Sequence, residues 1–153
     1  MDDSLNLRIR NLEHVKNECI ITNAQIDEVE DELSFAFPSD YRSFILTFGV
    51  LFLDGHIIRG IYEEDEQELE SFGVSILETK RERKKIGKFT GYPADFIVLE
   101  ANSGGGYVLL IFREGKYTLE NWEKDGDWYL LKEWNSFTDY LNEIVENAEK
   151  SVL

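Results

Sequence analysis

Residues 21–60, ITNAQIDEVEDELSFAFPSDYRSFILTFGVLFLDGHIIRG, constrain the fold of this chain more than any other stretch, because four kinds of local punctuation follow one another within them. Thr22 and Gln25 stand at the spacing of a capping box, in which each side chain covers an otherwise unpaired amide of the first helical turn. Ile26, Val29 and Leu33 then fall at i, i+3 and i+7, one stripe of a helix. Pro38 cannot continue that helix but suits the start of another. Tyr41, Phe44, Ile45 and Phe48 mark the buried face of the second helix, and Gly49 stands where a left-handed residue ends it. Asp54-Gly55, between VLFL and HIIRGI, is the strongest short hairpin signal a sequence offers. Physical reasoning takes this stretch to an α+β domain and to no activity.

The remaining elements follow by the same rules. Leu5, Ile9, Leu12, Val15 and Cys19 are spaced 4, 3, 3 and 4, which predicts an N-terminal helix over about 4–18 with Cys19 as a small core residue. Segment 63–70 (EEDEQELE) carries six carboxylates in eight residues and reads as an exposed loop or a short surface helix. VSILETKRERKKIG has good helix formers and Gly87 as a stop. Ile76, Thr79, Arg83 and Ile86 share a rough face with sparse apolar anchoring, and the basic side is expected in solvent. FIVL (96–99) and YVLLIF (107–112) are almost wholly apolar, as strands buried on both faces are. YTLENW and WYLLKEW add two strands around Asp125-Gly126, completing an antiparallel meander. Strict alternation puts Trp128 and Trp134 on one face, with Trp122 across from or beside them. Ser136 with Asp139 opens a last helix that buries Phe137, Tyr140, Leu141, Ile144 and Val145. The expectation is one domain over 1–153: a twisted antiparallel sheet of about five or six strands packed by N-terminal helices and a C-terminal helix.

The order I-x4-I-x2-V-E-x2-L, FPSDYRSFILTFG and an apolar segment ending in IIRGI resembles the SUKH superfamily, bacterial immunity proteins together with the fungal Smi/Knr regulators of cell-wall synthesis. The closing elements FIVLE, ANSGGG, YVLLIF and SFTDYLNEIV continue the resemblance to about residue 145. One departure is Thr47-Phe48-Gly49, where many members have a polar Asn-Gly, so any role of that Asn is absent here. The resemblance implies a cytosolic immunity protein that binds a cognate polymorphic toxin, commonly a nuclease or deaminase domain, and blocks it without chemistry of its own. As the alternative it admits a regulatory or scaffold module of the Smi/Knr kind, against which the compact chain without long disordered flanks argues mildly.

Charge bears on the choice of partner. The net charge is −15, yet 78–88 (ETKRERKKIGK) holds six basic and two acidic residues, leaving −19 elsewhere. Such a field repels nucleic acid, whose binding rests on neutralised phosphates, and steers a basic protein toward the surface. It also keeps a protein soluble, whatever its partner. No apolar run approaches the ~18 residues of a membrane span, and MDDSLNLRIRN lacks the basic-then-apolar profile of a signal peptide. With a single cysteine, these features fit the cytosol.

Catalytic and cofactor chemistry finds no pattern to rest on. The loop Asn102-Ser103-Gly104-Gly105-Gly106 feeds a strand rather than a helix N-terminus, so it reads as a turn rather than a phosphate cradle. Ser103 lacks the Gly-x-Ser-x-Gly frame of a nucleophile elbow. His14 and His56 are far apart, Cys19 has no partner at metal-ligand spacing, and Asp125-Gly126-Asp127 is too short for a calcium loop. His14 and Cys19 at i, i+5 fall on different sides of a helix. No catalytic, metal or cofactor residue is therefore expected, although a pocket of ionisable groups with shifted pKa values would revive an enzyme reading. The expected protein-contact residues are Glu63, Glu64, Asp65 and Glu66 in the acidic segment, and Glu120, Trp122, Glu123, Asp125 and Asp127 at an aromatic, acidic rim.

Overall fold

A computed structural model describes residues 2–12, 20–61, 83–84, 86, 95–102 and 104–152. Helices α1 (Asp3–Arg10), α2 (Asn23–Leu33) and α3 (Ser39–Phe48) lead into a hairpin of β1 (Leu51–Leu53) and β2 (His56–Ile58). The meander β3 (Phe96–Ala101), β4 (Tyr107–Arg113), β5 (Lys116–Asp125) and β6 (Asp127–Trp134) follows, and α4 (Phe137–Ser151) closes the fold. Among the described residues all strand pairs are antiparallel, in two sheets of order β1-β2 and β3-β4-β5-β6. The expected single sheet is thus divided. The hairpin joins β3 at one described backbone bond, from Arg59 N–H to the Leu99 carbonyl at 2.9 Å.

The local signals act as their chemistry dictates. Thr22 N–H donates to Gln25 Oε1 (2.7 Å) while Gln25 N–H donates to Thr22 Oγ1 (3.3 Å), so the capping box is closed. Pro38 caps α3 with φ −65°, and Gly49 ends it at φ +71°. Asp54 and Gly55 both take positive φ, as a two-residue turn twisting with its strands requires. Glu114-Gly115 repeats that device between β4 and β5. The N-terminal helix α1 ends at Arg10, with turn conformation at Asn11 and Leu12, and the remainder of the expected helix lies outside the described residues. His14 and Cys19 lie outside the described residues, as does the acidic segment 63–70.

One core lies between the helices and the sheet. It joins Leu5 and Ile9 of α1, Ile26 and Leu33 of α2, and Tyr41, Phe44, Ile45 and Phe48 of α3 to Ile97, Leu99, Val108, Leu110 and Leu119 of the sheet. Phe137, Tyr140, Leu141, Ile144, Val145 and Ala148 of α4 complete it. The opposite face buries Phe96, Val98, Leu109 and Ile111 under Ile86, so the central strands are covered on both sides, as their unbroken apolar runs imply. Arg83 turns inward with Ile86: its guanidinium donates to the carbonyls of Phe96 (2.8 Å) and Leu33 (2.7 Å), tying that segment to β3 and to the end of α2. Arg8 makes a two-pronged bond to Glu149, at 2.8 and 2.9 Å, which joins α1 to α4.

Candidate functional site

The β3–β4 and β5–β6 turns lie at the same end of the sheet, because Tyr107 pairs with Trp122 and Lys124 with Trp128. The glycine-rich loop closes on itself there. Asn102 N–H donates to the Gly106 carbonyl (2.8 Å), and Gly105, at φ +91°, donates to the Asn102 carbonyl (2.9 Å). Its side chain also reaches β5, with Asn102 Nδ2 donating to Glu123 Oε1 at 2.9 Å. A Cβ on Gly106 would sit 2.5 Å from both Glu123 Oε2 and the Trp122 carbonyl, so glycine is needed for close approach. The loop is a hairpin turn, as the sequence suggests; Ser103 lies outside the described residues.

The expected rim residues separate into two kinds. Asp125 and Asp127 are exposed beside Gly126, and Glu123 and Trp122 are half-buried. Glu120 is a correction: it is 1% exposed and lies inside the sheet face rather than on a rim. Strand alternation places it opposite Leu119 in direction and across from Leu109, a core residue of that face. Its charge is met by Trp122 Nε1, which donates at 2.9 Å, and by Arg113 Nη2 at 3.7 Å. Glu63, Glu64, Asp65 and Glu66 lie outside the described residues.

The tryptophans also depart from simple alternation. Trp122 pairs with Leu130 and the adjacent Asn121 with Lys132, so Leu131 is an extra residue in β6. That one-residue bulge turns the two halves of β6 to opposite faces. Trp128 stacks on Tyr107 (5.9 Å between centroids, 21°), and Tyr107 and Trp122 pack on the face of Phe96 and Leu109. Trp134 instead packs on the helix side, edge-on to Tyr140 at 5.1 Å, with Nε1 donating to Glu143 Oε2 at 2.9 Å. Trp128 and Trp134 therefore do not share a face.

A second polar cluster was not foreseen. Glu100, 5% exposed, accepts a hydrogen bond from the hydroxyl of buried Tyr140 and lies 2.9 Å from His56 Nδ1. The hydrogen bond to Glu100 raises the His56 pKa against the opposing effect of burial, and burial together with Glu100 pushes Tyr140 well above the ordinary phenol value. His56 borders a largely apolar groove of about 760 Å³, with Phe52 and Ile57 on one side and Ala148 and Val152 on the other. The Glu100 carboxylate thus orients the His56 imidazole through Nδ1. The available signal was Glu100 itself, a carboxylate at the end of a strand otherwise apolar on both faces. Among the described residues no three His, Cys, Asp or Glu side chains gather as metal ligands would, and no helix is long and apolar enough to cross a membrane.

Comparison with protein families decides the lineage. The model of the SMI1 / KNR4 family (SUKH-1) matches residues 20–143. The chain belongs to the SMI1 / KNR4 family. No curated protein matches it. Within this SUKH-1 chain the FPSDY segment is structural. Tyr41 Oη donates to the Arg59 carbonyl at 2.6 Å, fastening α3 to the end of the hairpin. Asp40 Oδ2 accepts from Thr138 N–H (3.0 Å) and Thr138 Oγ1 (2.9 Å), so α3 carries an acceptor for the first turn of α4. Gly60 lies against Gly49: a Cβ on Gly60 would fall 1.6 Å from the Gly49 carbonyl oxygen. Phe48, part of the departure from the usual family pattern, is fully buried in the core.

Proposed function

We propose that this SUKH-1 domain is a cytosolic immunity protein that binds a cognate polymorphic toxin, of the nuclease or deaminase class, and blocks it by occlusion rather than by catalysis. The observation that carries this reading is the charge of −15 on a family fold whose sheet end presents Asp125 and Asp127 beside Trp122 and Trp128. A toxin domain that handles nucleic acid needs a cationic groove, and an anionic surface competes for that groove and accelerates encounter at low salt. Aromatic side chains among carboxylates suit such a contact, since rings supply anchoring area and the charges supply steering.

The test is co-expression and pull-down with the product of the adjacent gene, followed by kinetics of Glu63→Lys/Glu64→Lys/Asp65→Lys. The triple variant is expected to associate more slowly and with weaker salt dependence. Unchanged association and salt dependence would remove the electrostatic part of the proposal. Membership of the SMI1 / KNR4 family also supports a second reading, a regulatory or scaffold module for an endogenous partner. A toxin gene next to this one favours immunity; a neighbourhood without one favours regulation.

A further inference from the structure

We propose that the outer edge of β6 is a strand-addition site that takes an extended segment of alternating apolar and basic residues from the partner. The inference rests on the reading of this domain as a protein binder and names the surface it uses. Strand β6 ends the four-stranded sheet, and among the described residues only β5 pairs with it. An edge of this kind presents backbone N–H and C=O groups that another strand satisfies directly. It is eight residues long, DWYLLKEW, with neither proline nor glycine. Tyr129, Leu130 and Leu131 are 44, 40 and 56% exposed, three consecutive large apolar side chains in water. Natural sheets guard such edges with lysine, proline or a bulge. Here the only guard of these along β6 is the Leu131 bulge, because Lys132 is bound to Glu143 and its ammonium lies 5.5 Å from the centroid of the Trp134 ring.

The charges select the occupant. With Lys132 neutralised by Glu143, the carboxylates of Asp125, Asp127 and Glu133 set the sign along the strand. Lys124, the one basic residue at that turn, lies 5.6 Å from the Trp128 ring. A strand whose apolar side chains cover Leu130 and Leu131 and whose lysines or arginines meet these carboxylates is complementary in both respects. A second copy of this chain is a poorer occupant, since each copy carries −15 and offers the same acidic edge.

Two synthetic eight-residue peptides, alternating Val-Lys and alternating Val-Glu, test the proposal by NMR titration of the full-length ¹⁵N-labelled chain. The Val-Lys peptide should shift amides of 127–134 and bind at least about tenfold more weakly when salt shortens the range of charge interactions. The Val-Glu peptide should not bind. Tyr129→Lys/Leu131→Lys, both at exposed positions, should abolish Val-Lys binding with an unchanged melting temperature. Equal binding of the two peptides, shifts away from β6, or no binding at millimolar peptide would overturn the proposal. A concentration-dependent dimer that the double variant abolishes would give the edge to a second copy and also overturn it. If the double variant still captures and neutralises the adjacent gene product, the edge is not the docking surface while the immunity reading stands. If the wild-type chain does not bind that product, the immunity reading fails and the edge is judged on the peptides alone.

Discussion

Two hairpin regions of this molecule behave in opposite ways. Between Thr22 and Gly60 each local signal in the sequence became a contact in the structure, and the contacts tie the region to the rest of the fold: Asp40 to Thr138, Tyr41 to Arg59, Gly60 to Gly49. Between Lys116 and Trp134 the strands and turn are where the pattern places them, yet Glu120 is buried and Trp128 and Trp134 take opposite faces. The difference lies in what each rule requires. Caps and two-residue turns are settled within three or four residues, whereas the facing of a strand depends on the register of its neighbour. The first region is locked from within and the second is left open at an edge, so substitutions should separate them sharply.

The largest effect is expected at Gly60. Gly60→Ala places a methyl group inside the contact distance of a backbone carbonyl, and urea unfolding should show a loss of about 3 kcal/mol or more. Gly104→Ala, in open space in the β3–β4 turn at the sheet end that the second region's turn shares, should change stability by less than about 0.5 kcal/mol. Equal losses at the two glycines would erase the contrast. Next comes Tyr41→Phe, which leaves the Arg59 carbonyl without its phenol donor in the core and should cost about 1–3 kcal/mol. Tyr129→Phe, on the exposed edge, should be nearly silent in the same measurement.

Asp40→Ala removes the acceptor that α3 offers to Thr138 and should cost about 1 kcal/mol. A double-mutant cycle with Thr138→Ala should show that the two losses are not additive. The smallest effect is a slope against pH. The folded-state pKa of His56 is raised above its ordinary 6.5, first by the hydrogen bond to Glu100 and further by Glu100 and Asp54 charges. The protonated ring thus stabilises the fold, fully below about pH 6.5, and that contribution fades as pH rises through the raised value. His56→Gln should flatten this decline, and a parallel slope in wild type and variant would show that the pair is not its source.

Most of the fold was legible in the sequence because its determinants are short-range. The capping box, Pro38, the Asp54-Gly55 turn and the doubly apolar strands each declare themselves over a few residues. Less of the candidate site was legible. Counting placed Glu120 among the surface carboxylates, but its depth follows from alternation against Leu119 combined with cover from Leu109 and Trp122. Glu100 likewise depends on partners 44 and 40 residues away, His56 and Tyr140, which no local window contains. The bulge at Leu131 has no glycine or proline to announce it.

That unannounced residue gives β6 a slack of one position, since Leu131 has no partner of its own in the register with β5. Loss of that single codon would leave Leu130 across from Trp122 and Lys132 across from Asn121 in an unbroken ladder, with Trp128 and Trp134 still on the opposite faces they now occupy. Orthologous genes should then tolerate both replacement and loss of position 131, while losing a second residue from β6 should be rare, because in an unbulged strand that slip would turn one half to the wrong face.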